Sequence, residues 1–156
     1  MKKPTSNVYS LRARALWLLA RREHSAKELH KKLLPHVEEG DDLEALLADF
    51  MQRGWVSDAR FAELVVNAKQ KRYGSLKLAH ELREKGVADD LIAEATSAVD
   101  DLENAKIVWQ KKYAQTPASR EEWAKQARFL QSRGFGFDVI KKVLNEQANE
   151  QLNNDN

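Results

Sequence analysis

Apolar residues recur along this chain at steps of three and four, in runs of about three turns separated by Gly, Pro or polar clusters, which is the signature of short amphipathic helices. The central stretch, residues 57–87, reads SDARFAELVVNAKQKRYGSLKLAHELREKGV. Phe61, Leu64, Val65 and Ala68 line one predicted helix and Leu78 and Leu82 the next, with Tyr73-Gly74-Ser75 as the break and Lys85-Gly86 as the stop. Helices this short are not stable alone in water, so the pair needs partners on both sides. Upstream, Leu11, Ala15, Leu18 and Leu19 mark a first helix. Ser25-Ala26-Lys27-Glu28 is a capping box opening a second, with Leu29 and Leu33 on its buried side. A third carries Leu43, Leu46, Leu47, Phe50 and Met51, with Asp41 and Glu44 offering its cap. Downstream come Val87, Leu91, Ile92, Ala95 and Val99, then Ile107, Val108 and Trp109 within 102–113. Ser119 with Glu122 reads as another capping box, before Trp123, Ala127 and Leu130, and the last helix holds Phe137, Ile140, Val143 and Leu144. Two-residue alternation with hairpin signals is not sustained anywhere, so no strand is predicted.

Nine short helices fall into three sets of three, an all-α fold of three tandem three-helix repeats expected to form an elongated curved array. The boundaries read as a disordered basic N-terminus at 1–7, repeats at 8–56, 57–99 and 100–147, and a disordered polar tail at 148–156. A local motif accompanies them: Phe50-Met51-Gln52-Arg53-Gly54-Trp55, Leu82-Arg83-Glu84-Lys85-Gly86-Val87 and Leu130-Gln131-Ser132-Arg133-Gly134-Phe135, each with an Asp four residues past the Gly (Asp58, Asp90, Asp138). Taken alone it describes three C-caps as well as a repeat.

Net charge is only +2 over 156 residues, but it is laid down in blocks. Residues 1–35 carry +7, 36–66 carry −6, 67–86 carry +4, 87–105 carry −6, 106–142 carry +6 and 143–156 carry −3. A surface serving solubility alone mixes signs more finely. There is no cysteine, which excludes disulfides and thiolate metal sites and fits a reducing, cytoplasmic setting. The longest apolar run, Ala15 to Ala20, is far too short to span a bilayer and lacks a secretory cleavage pattern, so no membrane partner is expected.

Catalytic chemistry finds little footing. His24, His30, His36 and His80 form no His-x-x-x-His pair, and His24 with Glu28 is better explained as part of the cap than as a metal site. The serines have no nucleophile-elbow context and several are better explained as helix caps, Gly134-x-Gly136 follows no strand, and the Asp pairs open helices where the dipole favours anions. The expectation is therefore no enzyme, no metal and no cofactor. Binding is the better reading. Arg21, Arg22, Lys27, Lys31, Lys32, Lys69, Lys71, Arg72, Lys77, Lys111, Lys112, Lys125 and Arg128 recur near helix ends, with Trp17, Tyr73, Tyr113 and Trp123 close by. A cationic stripe of this kind attracts phosphate backbones or an acidic protein surface; the alternative is a set of solvated faces balanced by the acidic blocks. No helix-turn-helix reading segment is visible.

Several of these segments resemble the RecX regulatory family of bacteria. They are Arg22 with Ser25-x-x-Glu28-Leu29-x-x-Lys32-Leu33, Gly54-Trp55 with Asp58-x-Arg60-Phe61-Ala62, Gly74 leading to Glu81-Leu82-x-x-Lys85-Gly86, and Phe129-Leu130-x-x-Arg133-Gly134-Phe135. The resemblance runs from Ala13 to Leu144. It implies three tandem three-helix units that lodge in the groove of the RecA recombinase filament on single-stranded DNA, restraining filament growth, ATP hydrolysis, strand exchange and self-cleavage of the SOS repressor; a monomer is expected. Asn67 and Lys69 stand where relatives often carry Arg, and Lys lacks the bidentate guanidinium fork. The competing class is a sequence-independent binder of single- or double-stranded DNA that acts by occupying the strand; a helical hydrolase is a third.

Overall fold

The computed structural model describes residues 9–154, with side chains to Glu146; residues 1–8, which include the basic terminus, and residues 155–156 lie outside it. Among the described residues the chain is all-α. The helices are α1 (Leu11–Arg21), α2 (Ala26–Leu33), α3 (Leu43–Gln52), α4 (Asp58–Lys69), α5 (Ser75–Glu84), α6 (Asp89–Thr96), α7 (Asp101–Lys112), α8 (Arg120–Ser132) and α9 (Phe137–Asn154), with one 3-10 turn at Leu34–His36. The last helix runs to Asn154, through residues 148–154 where the polar tail was expected. Glu, Gln, Ala and Leu there are good helix formers and no Gly or Pro interrupts them, so propensity carries a helix that the hydrophobic period does not signal.

Local chemistry sets the helix starts. The Ser25 capping box is complete: its hydroxyl accepts from the Glu28 N–H at 3.1 Å and the Glu28 carboxylate accepts from the Ser25 N–H at 3.3 Å. At α8 only half of the expected box forms. The Ser119 hydroxyl accepts from the Glu122 N–H, while the Glu122 carboxylate reaches one residue further out, to the Ala118 N–H at 2.7 Å. The cap of α3 is Asp42, not Asp41, because Asp42 immediately precedes the first helical residue and accepts from the Ala45 N–H; Asp41 instead closes a turn on the Glu38 N–H.

All three cation-Gly-apolar motifs end their helices in the same way. Gly54, Gly86 and Gly134 have φ of 73°, 81° and 92°, in the left-handed region where a side chain is strained. In each case the Gly N–H donates to the carbonyl three residues back, and the next N–H donates to the carbonyl five back: Trp55 to Phe50, Val87 to Leu82, Phe135 to Leu130. This is the Schellman C-cap with its hydrophobic contact, seen directly as the Phe50–Trp55 edge-on ring pair at 5.2 Å. The motif does not mark equivalent positions, however. It closes the second helix of its set at α5 and α8 but the third helix at α3, so shared capping chemistry produces the likeness at Gly54.

The described chain forms two compact units, residues 9–64 with 82–95, and residues 65–81 with 96–154. The first has a core of Leu11, Ala15, Leu29, Leu33, Leu43, Leu47, Phe50 and Val56. Asp58 ties into it by accepting from the Ala26 N–H at 2.8 Å. The second has a core of Ala105, Val108, Trp109, Leu130, Phe135, Ile140, Val143 and Leu144, in which the Trp109 indole N–H donates to the buried Gln126 carbonyl at 2.7 Å. One predicted stripe is rotated. In α4 the buried residues are Phe61, Ala62 and Val66, while Leu64 is about half exposed and Ala68 lies outward. Both stripes obey the helical period, and packing selects between them.

Candidate functional site

The candidate site lies in the second unit and is built from the ends of three helices. Beyond the end of α4 the chain turns through Lys71 and Arg72 into Tyr73 and Gly74. Gly74 meets the C-terminal end of α8: its N–H donates to the Arg133 carbonyl at 2.7 Å, and the Leu76 N–H donates to the Gly134 carbonyl at 3.2 Å. A Cβ at Gly74 would collide with the Gly134 carbonyl group and the Phe135 ring, so only glycine permits this approach. The join sets Tyr73 beside Arg133. Three cations then share the Tyr73 ring, with Lys77 Nζ 4.5 Å, Arg72 Cζ 5.7 Å and Arg133 Cζ 5.7 Å from its centre. One turn before Arg133, the Phe129 ring takes Arg133 at 5.2 Å and Lys112 at 5.3 Å, and Tyr113 packs edge-on against it at 5.6 Å.

Lys71, Arg72, Lys111, Lys112 and Arg133 line one cleft of about 190 Å³, with Val108 and Phe129 as its apolar part. Among the described residues no carboxylate lies within ion-pair distance of these five or of Lys77. Helix geometry supplies part of the explanation, because Lys111 and Lys112 occupy the last turn of α7 and Arg133 the C-cap of α8, where the dipole favours cations. The first unit offers the contrast. There Arg12 and Arg53 also crowd an aromatic, Trp55, at 5.5 and 5.1 Å, but both pair with Asp49, at 3.2 and 2.9 Å, whose carboxyl their hydrogen bonds hold below its usual value.

The remaining cations named from the sequence divide by task. Lys69 is half-buried in an ion pair with Glu81 at 2.6 Å. Arg22 grips Glu28 with both terminal nitrogens, at 3.0 and 2.7 Å, and Lys85 adds a third contact at 3.4 Å. Burial by itself would push the Glu28 carboxyl up, but the Arg22 hydrogen bond and the Arg22 and Lys85 charges outweigh it and bring it down to about 2. Lys32 Nζ lies 3.1 Å from Nε2 of His24, whose Nδ1 is 2.9 Å from the Arg22 carbonyl. Nδ1–H therefore donates to the carbonyl and Nε2 accepts from the ammonium, which makes the ring neutral; burial holds its pKa below the usual value. Arg21 stacks on Trp17 at 5.0 Å, the Lys27 stem lies against Gly86, and Lys31 is exposed. On α8, Lys125 is exposed and Arg128 borders an apolar groove of about 330 Å³ with Trp123, Phe135, Phe137 and Ile140. Lys71, Arg72, Lys77, Lys111 and Lys112 are thus brought together. Arg133 was missed, although it is the cation of the third cation-Gly-apolar motif.

Fold defines a class first: an all-helical protein of tandem three-helix units. The pattern "RecX, second three-helix domain" matches residues 57–95, and "RecX, third three-helix domain" matches residues 99–144. The chain is 43% identical over 146 residues to the regulatory protein RecX of Chromobacterium violaceum, covering 94% of this chain and 96% of that one. It is 37% identical to that of Neisseria meningitidis, covering 90% and 93%. The chain belongs to the RecX family of regulatory proteins. The crystal structure of RecX from Lactobacillus salivarius superposes with a TM-score of 0.78 at 19% identity, over 91% of this chain and 97% of that one. A further crystal structure of a regulatory protein RecX gives 0.74 at 21%, over 85% and 69%. Both likenesses speak to the fold alone. No helix among the described residues is long and apolar enough to cross a membrane.

Proposed function

We propose that this protein is a non-enzymatic, monomeric, cytoplasmic regulator of the RecA recombinase. It docks on the filament that RecA forms on single-stranded DNA and restrains ATP hydrolysis, strand exchange and SOS co-protease activity. The observation that carries the reading, beyond family membership, is the uncompensated set of Lys71, Arg72, Lys77, Lys111, Lys112 and Arg133 around Tyr73 and Phe129. Six cations without carboxylate partners among the described residues repel one another, and a polyanionic surface relieves that repulsion. Binding several neighbouring subunits at once supplies avidity without any single tight contact.

The test is the combined variant Lys71→Glu/Arg72→Glu/Lys77→Glu. Inhibition of RecA's DNA-dependent ATPase should weaken by about tenfold or more, the equivalent of ~1.4 kcal/mol. Undiminished inhibition removes this face from the proposal. The same cation–aromatic pairing also suits a nucleic-acid strand by itself, which favours the second reading, direct occupation of DNA. That reading requires affinity for single-stranded DNA without RecA, falling steeply with salt. Filament docking requires the recombinase.

A further inference from the structure

We propose that the cleft formed by Lys71, Arg72, Lys111, Lys112 and Arg133 is a binding site for a condensed phosphate, a di- or triphosphate group either free or as the tail of a nucleotide. The proposal deepens the reading above, since it assigns a small ligand to cations which that reading turns towards a filament.

Charge comes first. A helix C-terminus carries about half a negative charge, so the three helix ends beside the cleft offset about 1.5 of its five positive charges. No side-chain carboxylate among the described residues lies within ion-pair distance of the five. The protein therefore holds an excess of positive charge in one small volume, and a compact, multiply charged anion is the ligand that neutralises it.

Size comes second. The cleft is confined, about 190 Å³ between three helix ends. That suits a short chain of linked phosphates, whereas a nucleic-acid strand spreads its phosphates along a groove. Preorganisation comes third. Arg133 lies against the Phe129 and Tyr73 rings, Lys112 against Phe129 and Arg72 against Tyr73, so three of the five cations are held by aromatic neighbours before any ligand arrives. Arg forks suit bidentate contact with phosphate oxygens, and Lys71 and Lys111 add mobile point charges.

The experiment is calorimetric titration of the full chain with sodium tripolyphosphate, with orthophosphate as the reference anion and a thymidine oligonucleotide as competitor. Expected is one tripolyphosphate per chain, at least tenfold tighter than orthophosphate. Lys112→Ala/Arg133→Ala should weaken it by at least tenfold, and Lys27→Ala/Lys31→Ala, an equal loss of charge in the other unit, should change it less than twofold. If removing Arg133 disturbs folding, as circular dichroism will report, Lys71→Ala/Lys111→Ala serves in its place, because both side chains are exposed and unpaired. No saturable tripolyphosphate binding, equal losses in the cleft and control variants, or binding of the oligonucleotide alone overturns the proposal. RecA inhibition is measured on the same variants. Inhibition that needs the cleft while tripolyphosphate fails to bind sinks only the small-ligand site; tripolyphosphate binding with inhibition indifferent to the cleft sinks only the filament face.

Discussion

Glu28 does more than complete a capping box. Its side chain is 8% exposed and accepts from Arg22 and Lys85 as well as from the Ser25 N–H, so removing Arg22 leaves a largely buried carboxylate short of partners. Arg22→Ala should cost about 2 kcal/mol, since an orphaned buried acceptor costs ~1–3 kcal/mol and Arg22 itself is half exposed. For a protein of this length that lowers the thermal midpoint by about 4–8 °C. The pH dependence follows from the direction of the shift. The folded-state pKa of about 2 lies below the ordinary 4.5, so this contribution is complete above pH 4.5 and is lost as pH falls towards 2. Buried His24, also held below its ordinary 6.5, acts at milder acidity. Its neutral form is favoured in the folded state, so stability falls as pH drops below 6.5 and the ring is driven to ionise between Arg22 and Lys32. Denaturant midpoints of wild type and His24→Gln between pH 7 and pH 5 check this; the variant should lose less.

At the scale of elements, the three Schellman caps look alike along the chain and differ in cost. Gly54 has nothing within 4 Å of a would-be Cβ, so Gly54→Ala carries only the left-handed strain, about 1 kcal/mol. Gly134 has the same conformation, but a Cβ there would strike the Lys77 backbone and side chain. Overpacking adds ~1–3 kcal/mol, so Gly134→Ala should cost about 2–4 kcal/mol and disturb the join that seats Tyr73 beside Arg133. Equal losses in the two variants, measured by urea denaturation, would show that the α5–α8 junction is looser than its geometry. These differences have no signature in the chain itself. A cation before a glycine announces a C-cap, whereas the element that crowds the glycine is named only by the fold.

For the molecule as a whole, the alternating charge blocks resolve into two kinds of cation. Those of the first unit are largely engaged with acids and aromatics of their own unit, as Arg22 is with Glu28 and Arg12 and Arg53 are with Asp49. Those around the second unit's cleft have no ion-pair partner among the described residues. Lys71→Gln/Lys111→Gln should therefore leave stability unchanged to within ~0.5 kcal/mol or raise it, with the gain largest at low salt. A thermal melt at two ionic strengths tests it. A clear loss would mean that the cleft's charge supports the fold.

The helices, most of their caps and most buried positions of α2, α3 and α9 were legible in the sequence because they depend on neighbours within a turn or two: a hydroxyl three residues before an N–H, a glycine after a cation, a leucine every third or fourth place; Met51 of α3 and Phe137 of α9, placed by the same period on the apolar sides, are instead exposed. The resemblance to the RecX family was legible for the same reason, being carried by those short segments. The sequence could not distinguish the two stripes of α4, separate Gly54 from its look-alikes, or sort thirteen candidate cations into paired and unpaired. Those outcomes depend on which side chains from other helices, some nearly 60 residues away, come within a few ångströms, such as Lys85 on Glu28 or Arg133 on Tyr73, and only the packed chain decides that.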